Sequence, residues 1–145
     1  MGKVLQIAIR DASRAPMQML DVAQVTADKG VVGDYRGAVS KRKVTIIAKE
    51  AWEAACRDLG TDVDWTARRA NVLVEGVDLN ETVGKKLHLG DVVLEITGET
   101  TPCPRMDEAE QGLLSALEQD WRAGASCVVH TEGELRVEDV VRLEG

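Results

Sequence analysis

Hydrophobic positions along the chain fall mostly into short runs suited to strands rather than into long helical stripes. Lys3 to Arg10 (KVLQIAIR) and Val22 to Ala27 (VAQVTA) are rich in branched apolar residues and bounded by turn formers, which predicts strands. Val44 to Ala48 (VTIIA) predicts a third. Over Lys49 to Leu59 the period changes: Trp52, Ala55, Cys56 and Leu59 share one helical face, Glu50, Glu53, Arg57 and Asp58 lie opposite, and Gly60 ends the segment. Asp64 is placed to cap a short helical turn reaching Arg68 or Arg69, and Asn71 to Glu75 reads as a strand ending at Gly76. Beyond a loop over 78–84, Lys86 to Leu89 and Asp91 to Thr97 predict a hairpin about Gly90-Asp91. A second helix is expected from an Asp107 cap, with Leu113, Leu114, Leu117 and Trp121 on one face and an end near Gly124. Ser126 to Thr131, Glu134 to Val137 and Val140 to Leu143 supply closing strands. Many short strands with only two clear helices predict a mainly β barrel or sandwich.

A length of 145 residues, with no linker, repeat or low-complexity tract, implies a single domain over 1–145. No apolar run approaches the roughly 18 to 20 residues that span a bilayer, and the start Met1-Gly2-Lys3-Val4-Leu5-Gln6 lacks a secretory apolar region, so the expected address is cytoplasmic, away from membranes. Eighteen basic against 25 acidic residues give a net charge of -7, which argues against duplex nucleic acid or an anionic membrane as partner. Aromatic residues make up 3%, with no Phe, so there is no stacking platform for single-stranded bases. Cys56, Cys103 and Cys127 are far apart and form neither a zinc-ligand spacing nor a disulfide framework, and no zinc is expected.

Three places carry candidate chemistry. Cys103 lies in Thr100-Thr101-Pro102-Cys103-Pro104-Arg105-Met106-Asp107, where two prolines disfavour helix interior and central strand alike. Arg105 and the N-terminus of the next helix would favour its thiolate, the reactive form. Cys56, on an apolar helical stripe, and Cys127, in a β-branched run, are expected to pack instead. The second place is Gly30-Val31-Val32-Gly33-Asp34-Tyr35-Arg36-Gly37 followed by Lys41-Arg42-Lys43. It reads either as a backbone cradle for an anion or as a glycine-rich connection between strands with a basic edge, with no helix immediately following. The third is Arg68-Arg69-Ala70-Asn71, whose forks and amide suit a planar or phosphate-bearing ligand and equally suit salt bridges to surplus carboxylates. His88 and His130 read as solvent-facing strand residues without an identifiable catalytic partner.

In order and spacing these segments resemble the MOSC domain, named for the C-terminal part of molybdenum cofactor sulfurase. The resemblance runs from Gly30-Val31-Val32-Gly33-Asp34 and Arg42-Lys43-Val44-Thr45, through Arg68-Arg69-Ala70-Asn71-Val72, Gly76-Val77-Asp78-Leu79 and Leu89-Gly90-Asp91, to Pro102-Cys103 and Asp120-Trp121-Arg122-Ala123-Gly124. It implies a small closed β-barrel with two or three peripheral helices, and a characteristic cysteine, matched here by Cys103, that carries sulfur as a persulfide or contacts molybdenum. Asp34, Arg36, Arg42, Arg68, Arg69, Asn71 and Arg105 become the expected walls of one pocket for the cofactor, molybdopterin. Many relatives carry His where this chain has Arg36, so no histidine role transfers. A chain filled by this barrel leaves no room for a pyridoxal-phosphate domain, so none of that cofactor is expected and sulfur would come from a cysteine desulfurase or another donor. The implied role is a sulfur carrier or sulfurtransferase, delivering to the molybdenum cofactor or a molybdoenzyme. The alternatives are a non-catalytic cofactor-binding module and a molybdenum-dependent reductase of N-hydroxylated compounds.

Overall fold

The strand-forming runs close on themselves. The computed structural model describes residues 2–12, 14–102 and 104–144. Its strands are β1 (Gly2–Ile9), β2 (Gln18–Leu20), β3 (Val22–Thr26), β4 (Gly30–Val31), β5 (Val44–Ala48), β6 (Val72–Glu75), β7 (Lys86–Leu89), β8 (Val92–Glu99), β9 (Ala125–Thr131), β10 (Gly133–Arg136) and β11 (Val140–Glu144). Helices α1 (Tyr35–Val39), α2 (Lys49–Leu59), α3 (Met106–Ala109) and α4 (Leu113–Leu117) lie between them, with a 3-10 turn over Trp65–Arg68. Seven strands follow the order β1-β6-β5-β9-β8-β7-β11, and β11 pairs back onto β1 with Gly2 opposite Val141, which closes the barrel. Neighbours in the barrel are antiparallel except β5 and β6, whose parallel pairing uses α2 and the 3-10 turn as its crossover. β2 extends the sheet beside β1, and β10-β3-β4 form a small second sheet.

Alternation along the strands sorts side chains onto two faces. Ile46 of β5 and Val72 and Val74 of β6 point into a core with Val4, Ile96 and Val141, while Ile47 and Leu73 point outward beneath the helices with Trp52, Leu113 and Leu117. β5 is buried along its whole length, as its uninterrupted VTIIA run demands. α2 buries Trp52, Ala55 and Cys56 on the expected face and ends at Gly60, whose φ of 84° needs no Cβ. Asp64 caps the 3-10 turn by accepting from the Thr66 N–H at 2.9 Å. Among the described residues, no helix is long and apolar enough to cross a membrane.

Two expectations about helices are corrected. The glycine-rich segment runs straight into α1, capped by Asp34, so it is not a bare connection between strands. The helix expected from Asp107 to Gly124 is two short pieces, because the chain turns at Gly112 (φ 93°), where an added Cβ would come 2.9 Å from Leu59 Cδ1. Asp107 does not cap α3; its carboxylate accepts from the N–H groups of Gly112 (3.2 Å) and Leu114 (3.0 Å), at the start of α4. Trp121 is not on a helix either. It follows Asp120 in a tight turn, both residues at φ 55°, and packs against the barrel core rather than with Leu113 and Leu117.

Candidate functional site

Arg10 directly follows the apolar strand β1, yet it is buried to 4% exposure. Its backbone is clipped to the next segment of the site: the Arg10 N–H donates to Asp34 Oδ1 at 3.1 Å, the Arg10 carbonyl accepts from the Tyr35 N–H at 2.7 Å, and Asp34 Oδ2 accepts from the Gly37 N–H at 3.1 Å. Asp34 is thus spent on caps and carries Arg36 to the side of Arg10. Asn71 plays the same part at β6. Its Oδ1 accepts from the Thr45 N–H (3.1 Å) and hydroxyl (3.3 Å), and its Nδ2 donates to the Ala8 carbonyl at 3.3 Å, which ties β1, β5 and β6 together just beyond Arg69. Both are buried and bonded within the protein, and neither lines the two cavities that the arginines form. They position the arginines instead.

The predicted arginines do converge. A cavity of about 800 Å³ is walled by Arg10, Arg36, Arg68, Arg69 and Arg105, with Asp64 and Glu108 as its acidic lining groups. Asp64 is engaged with Thr66, and Glu108 sits 3.8 Å from Arg105 Nε. Gln6, Met17, Met19 and Met106 add a flat, polarisable wall. A recess of about 40 Å³ adjoins it, formed by Arg36, Arg42, Thr45, Arg68 and Arg69. Arg69 takes the left-handed conformation (φ 62°) at the end of the 3-10 turn and donates to the Ala15 carbonyl, which fastens the β1–β2 loop over the site. Arg10 shows the electrostatic cost: burial lowers its pKa first, Arg36 and Arg69 lower it further, Asp34 offsets part of this, and Arg105 adds to the crowding.

Cys103 lies outside the described residues. The chain on either side of it touches the cavity: Arg68 Nη2 donates to the Thr101 carbonyl at 3.4 Å, and Arg105 is a wall residue. Thr100 anchors this segment, its hydroxyl donating to the Ala123 carbonyl at 2.7 Å and its N–H to the Gly124 carbonyl at 3.0 Å. The helix expected to support a thiolate here is a single turn, α3, with Asp107 and Glu108 in it, too short and too acidic to act as a positive helix end. Cys56 and Cys127 are buried, and desolvation pushes the Cys127 thiol up to about 12. His130 is exposed, and His88 Nε2 meets Glu144 Oε1 at 3.1 Å across β7 and β11, a pairing that sequence spacing does not reveal.

Arg10 is the cavity-lining arginine that sequence reasoning missed. Its signal was an arginine closing an otherwise apolar strand. Among the described residues no group of three or more His, Cys, Asp or Glu side chains is placed to hold a metal ion. The surplus of guanidinium groups over carboxylates fits an anionic, phosphate-bearing group.

The family model of the MOSC domain matches residues 22–142, most of the chain. The chain belongs to the MOSC domain family. That family is associated with the molybdenum cofactor, and the closed barrel agrees with crystal structures to which this chain is similar. The YuaD protein from Bacillus subtilis has a TM-score of 0.82 at 20% identity, with 99% of this chain and 96% of that one covered. YiiM from Geobacillus stearothermophilus gives 0.74 at 14% identity over 100% of this chain and 76% of that one. YiiM from Escherichia coli gives 0.70 at 13% identity over 99% and 70%. No match was found among curated proteins.

Proposed function

We propose that this MOSC protein carries sulfur in molybdenum cofactor metabolism, with Cys103 accepting sulfane sulfur as a persulfide and the arginine cavity receiving the anionic acceptor. The observation behind this reading is the meeting of five arginines around a cavity whose wall is touched by the chain on both sides of Cys103. The chemistry needs an accessible thiolate and little else. Cys103 thiolate attacks the terminal sulfur of a donor persulfide; a new S–S bond forms as the donor's S–S bond breaks, the donor leaves as thiolate, and the terminal sulfur keeps its proton. Handing sulfane sulfur on to an acceptor nucleophile is the same exchange run outward, so neither step requires an oxidant. Arg105, two residues on in the sequence, would support a thiolate on Cys103. A molybdopterin bound here would supply its dithiolene and metal chemistry, while Arg10, Arg36, Arg68, Arg69 and Arg105 hold its negative charge.

The test is intact mass without reductant after incubation with a cysteine desulfurase and cysteine. Wild type should gain one sulfur and Cys103→Ser none; equal gain in both, or none in wild type, defeats the carrier reading. One observation favours a second reading, a cofactor-holding module. A cavity of about 800 Å³ exceeds what delivery of a single sulfur atom needs. Stoichiometric molybdenum and pterin in anaerobically purified protein would support it.

A further inference from the structure

A second cavity, of about 500 Å³, opens at the opposite end of the parallel β5–β6 pair from the arginines. The arginine recess includes Thr45 near the start of β5, whereas this one is lined by Ala48 at the end of β5 and by Gly76 and Val77 just past β6. Its charge has the other sign. Glu50, Asp78 and Asp120 line it, and its lining cation, Arg122, is committed elsewhere, with Nη1 2.6 Å from Asp58 Oδ2 and 3.0 Å from the Ala116 carbonyl. Glu50 and Asp78 are held in place, by the Gly76 N–H donating to Glu50 Oε2 at 2.9 Å and the Asn80 N–H donating to Asp78 Oδ1 at 3.0 Å.

An indole completes the wall. Trp121 is half-buried against the barrel core and lines the cavity, brought there by the turn in which Asp120 and Trp121 both take φ 55°. Its backbone is pinned on the far side, the Gly124 N–H donating to the Trp121 carbonyl at 2.9 Å. Gly124 itself leaves no freedom there: at φ 106°, an added Cβ would stand 2.2 Å from the Ile46 carbonyl oxygen. Ala51, Val77 and Leu79 supply the apolar remainder.

Apolar walls, an aromatic residue and three carboxylates, two of them held by backbone N–H groups, with the local guanidinium already paired, are the combination that attracts an organic cation and packs its apolar part. We infer that this cavity is a second binding site, separate from the arginine site, for a small organic ammonium ion carrying an apolar group. Charge selects the class: a carboxylate or phosphate ester would meet three carboxylates, and a bare metal ion would gain nothing from the indole.

The probe is benzyltrimethylammonium, titrated into the intact protein while the three tryptophan indole N–H signals are followed by NMR. Trp121→Phe assigns the Trp121 signal. Trp52 and Trp65 serve as internal controls, since their indole N–H groups are bonded to Val63 and Gln6 away from this cavity. The expected result is a saturable shift of the Trp121 signal, absent with benzyl alcohol and with phenylacetate. Affinity should fall about tenfold in an Asp78→Asn, Asp120→Asn double variant. Both positions are exposed, so this variant is expected to keep the wild-type melting temperature, which serves as the fold control. Equal binding of benzyl alcohol, undiminished affinity in the double variant, a shift confined to Trp65, or no saturable shift each overturns the inference.

Discussion

Replacing Arg10 with Met removes a guanidinium that burial, Arg36, Arg69 and Arg105 all disfavour, while leaving a flexible chain to fill most of its space. Asp34 offsets only part of that penalty, so relieving it favours the folded variant. In anion-free buffer Arg10→Met should therefore unfold no earlier than wild type. The pH sign follows from the lowered pKa. A base whose pKa falls on folding destabilises the folded state fully wherever it stays protonated in both states, and the penalty is relieved only as pH rises through the folded value. The difference between variant and wild type is thus constant across the neutral range.

An anion that engages Arg10 reverses the balance. At 100 times its Kd a ligand stabilises by about 2.7 kcal/mol, a rise in Tm of about 5–11 °C for a domain of this size. Loss of one charge-assisted hydrogen bond weakens binding by about 1.5–3 kcal/mol, so the same ligand concentration stabilises Arg10→Met by only about 0.3–1.3 kcal/mol. Thermal unfolding titrated with pyrophosphate reads this directly. Arg142→Gln is the control for general salt effects, because Arg142 is exposed on β11. Equal pyrophosphate shifts in wild type and Arg10→Met would refute the reasoning, as would a marked loss of stability in the anion-free variant.

Gly124→Ala forces a Cβ to within 2.2 Å of the Ile46 carbonyl oxygen at a φ of 106° and should cost about 2–4 kcal/mol in urea unfolding; a loss below about 1 kcal/mol would contradict the close packing of that turn. Asp34→Ala strips the acceptor from two buried N–H groups, at Arg10 and Gly37, and is expected to destabilise by about 2–4 kcal/mol and to abolish the pyrophosphate shift; an unaltered shift would separate Asp34 from arginine placement. Burial pushes the Cys127 thiol from 9.0 to about 12, so above pH 9 the unfolded chain releases that proton first and stability falls with rising pH, by up to about 1.4 kcal/mol per pH unit. Cys127→Ala should lose this part of the alkaline slope, and identical slopes in urea unfolding at pH 8 and pH 10 would argue against it.

The strands were legible because apolar runs such as VTIIA and KVLQIAI carry their own signal, and α2 because Trp52, Ala55, Cys56 and Leu59 repeat at helical spacing. α1 was hidden by its glycine. Gly37 is poor helix material, yet its missing Cβ is required, since a side chain there would come 2.3 Å from the Lys29 carbonyl oxygen. The break at Gly112 was overridden in the sequence reading by the leucine stripe that continues past it. Barrel closure is a long-range pairing of β1 with β11 that neither segment encodes alone. At the site, residue type revealed Arg36, Arg42, Arg68, Arg69 and Arg105, but only tertiary packing separates these cavity residues from Asp34 and Asn71, which are consumed by backbone groups. Arg10 escaped notice because a single arginine at a strand end is ordinarily solvent-facing.

The central claim is that sulfur resides on Cys103 and that the arginine cavity governs where it goes. Peptide-resolved mass spectrometry of protein loaded by a cysteine desulfurase and trapped by alkylation tests this most directly. The account predicts one added sulfur on the peptide containing Cys103, none on those containing Cys56 or Cys127, and slower discharge to an anionic thiol acceptor when pyrophosphate occupies the cavity. Sulfur spread over all three cysteines, or discharge indifferent to pyrophosphate, would contradict it.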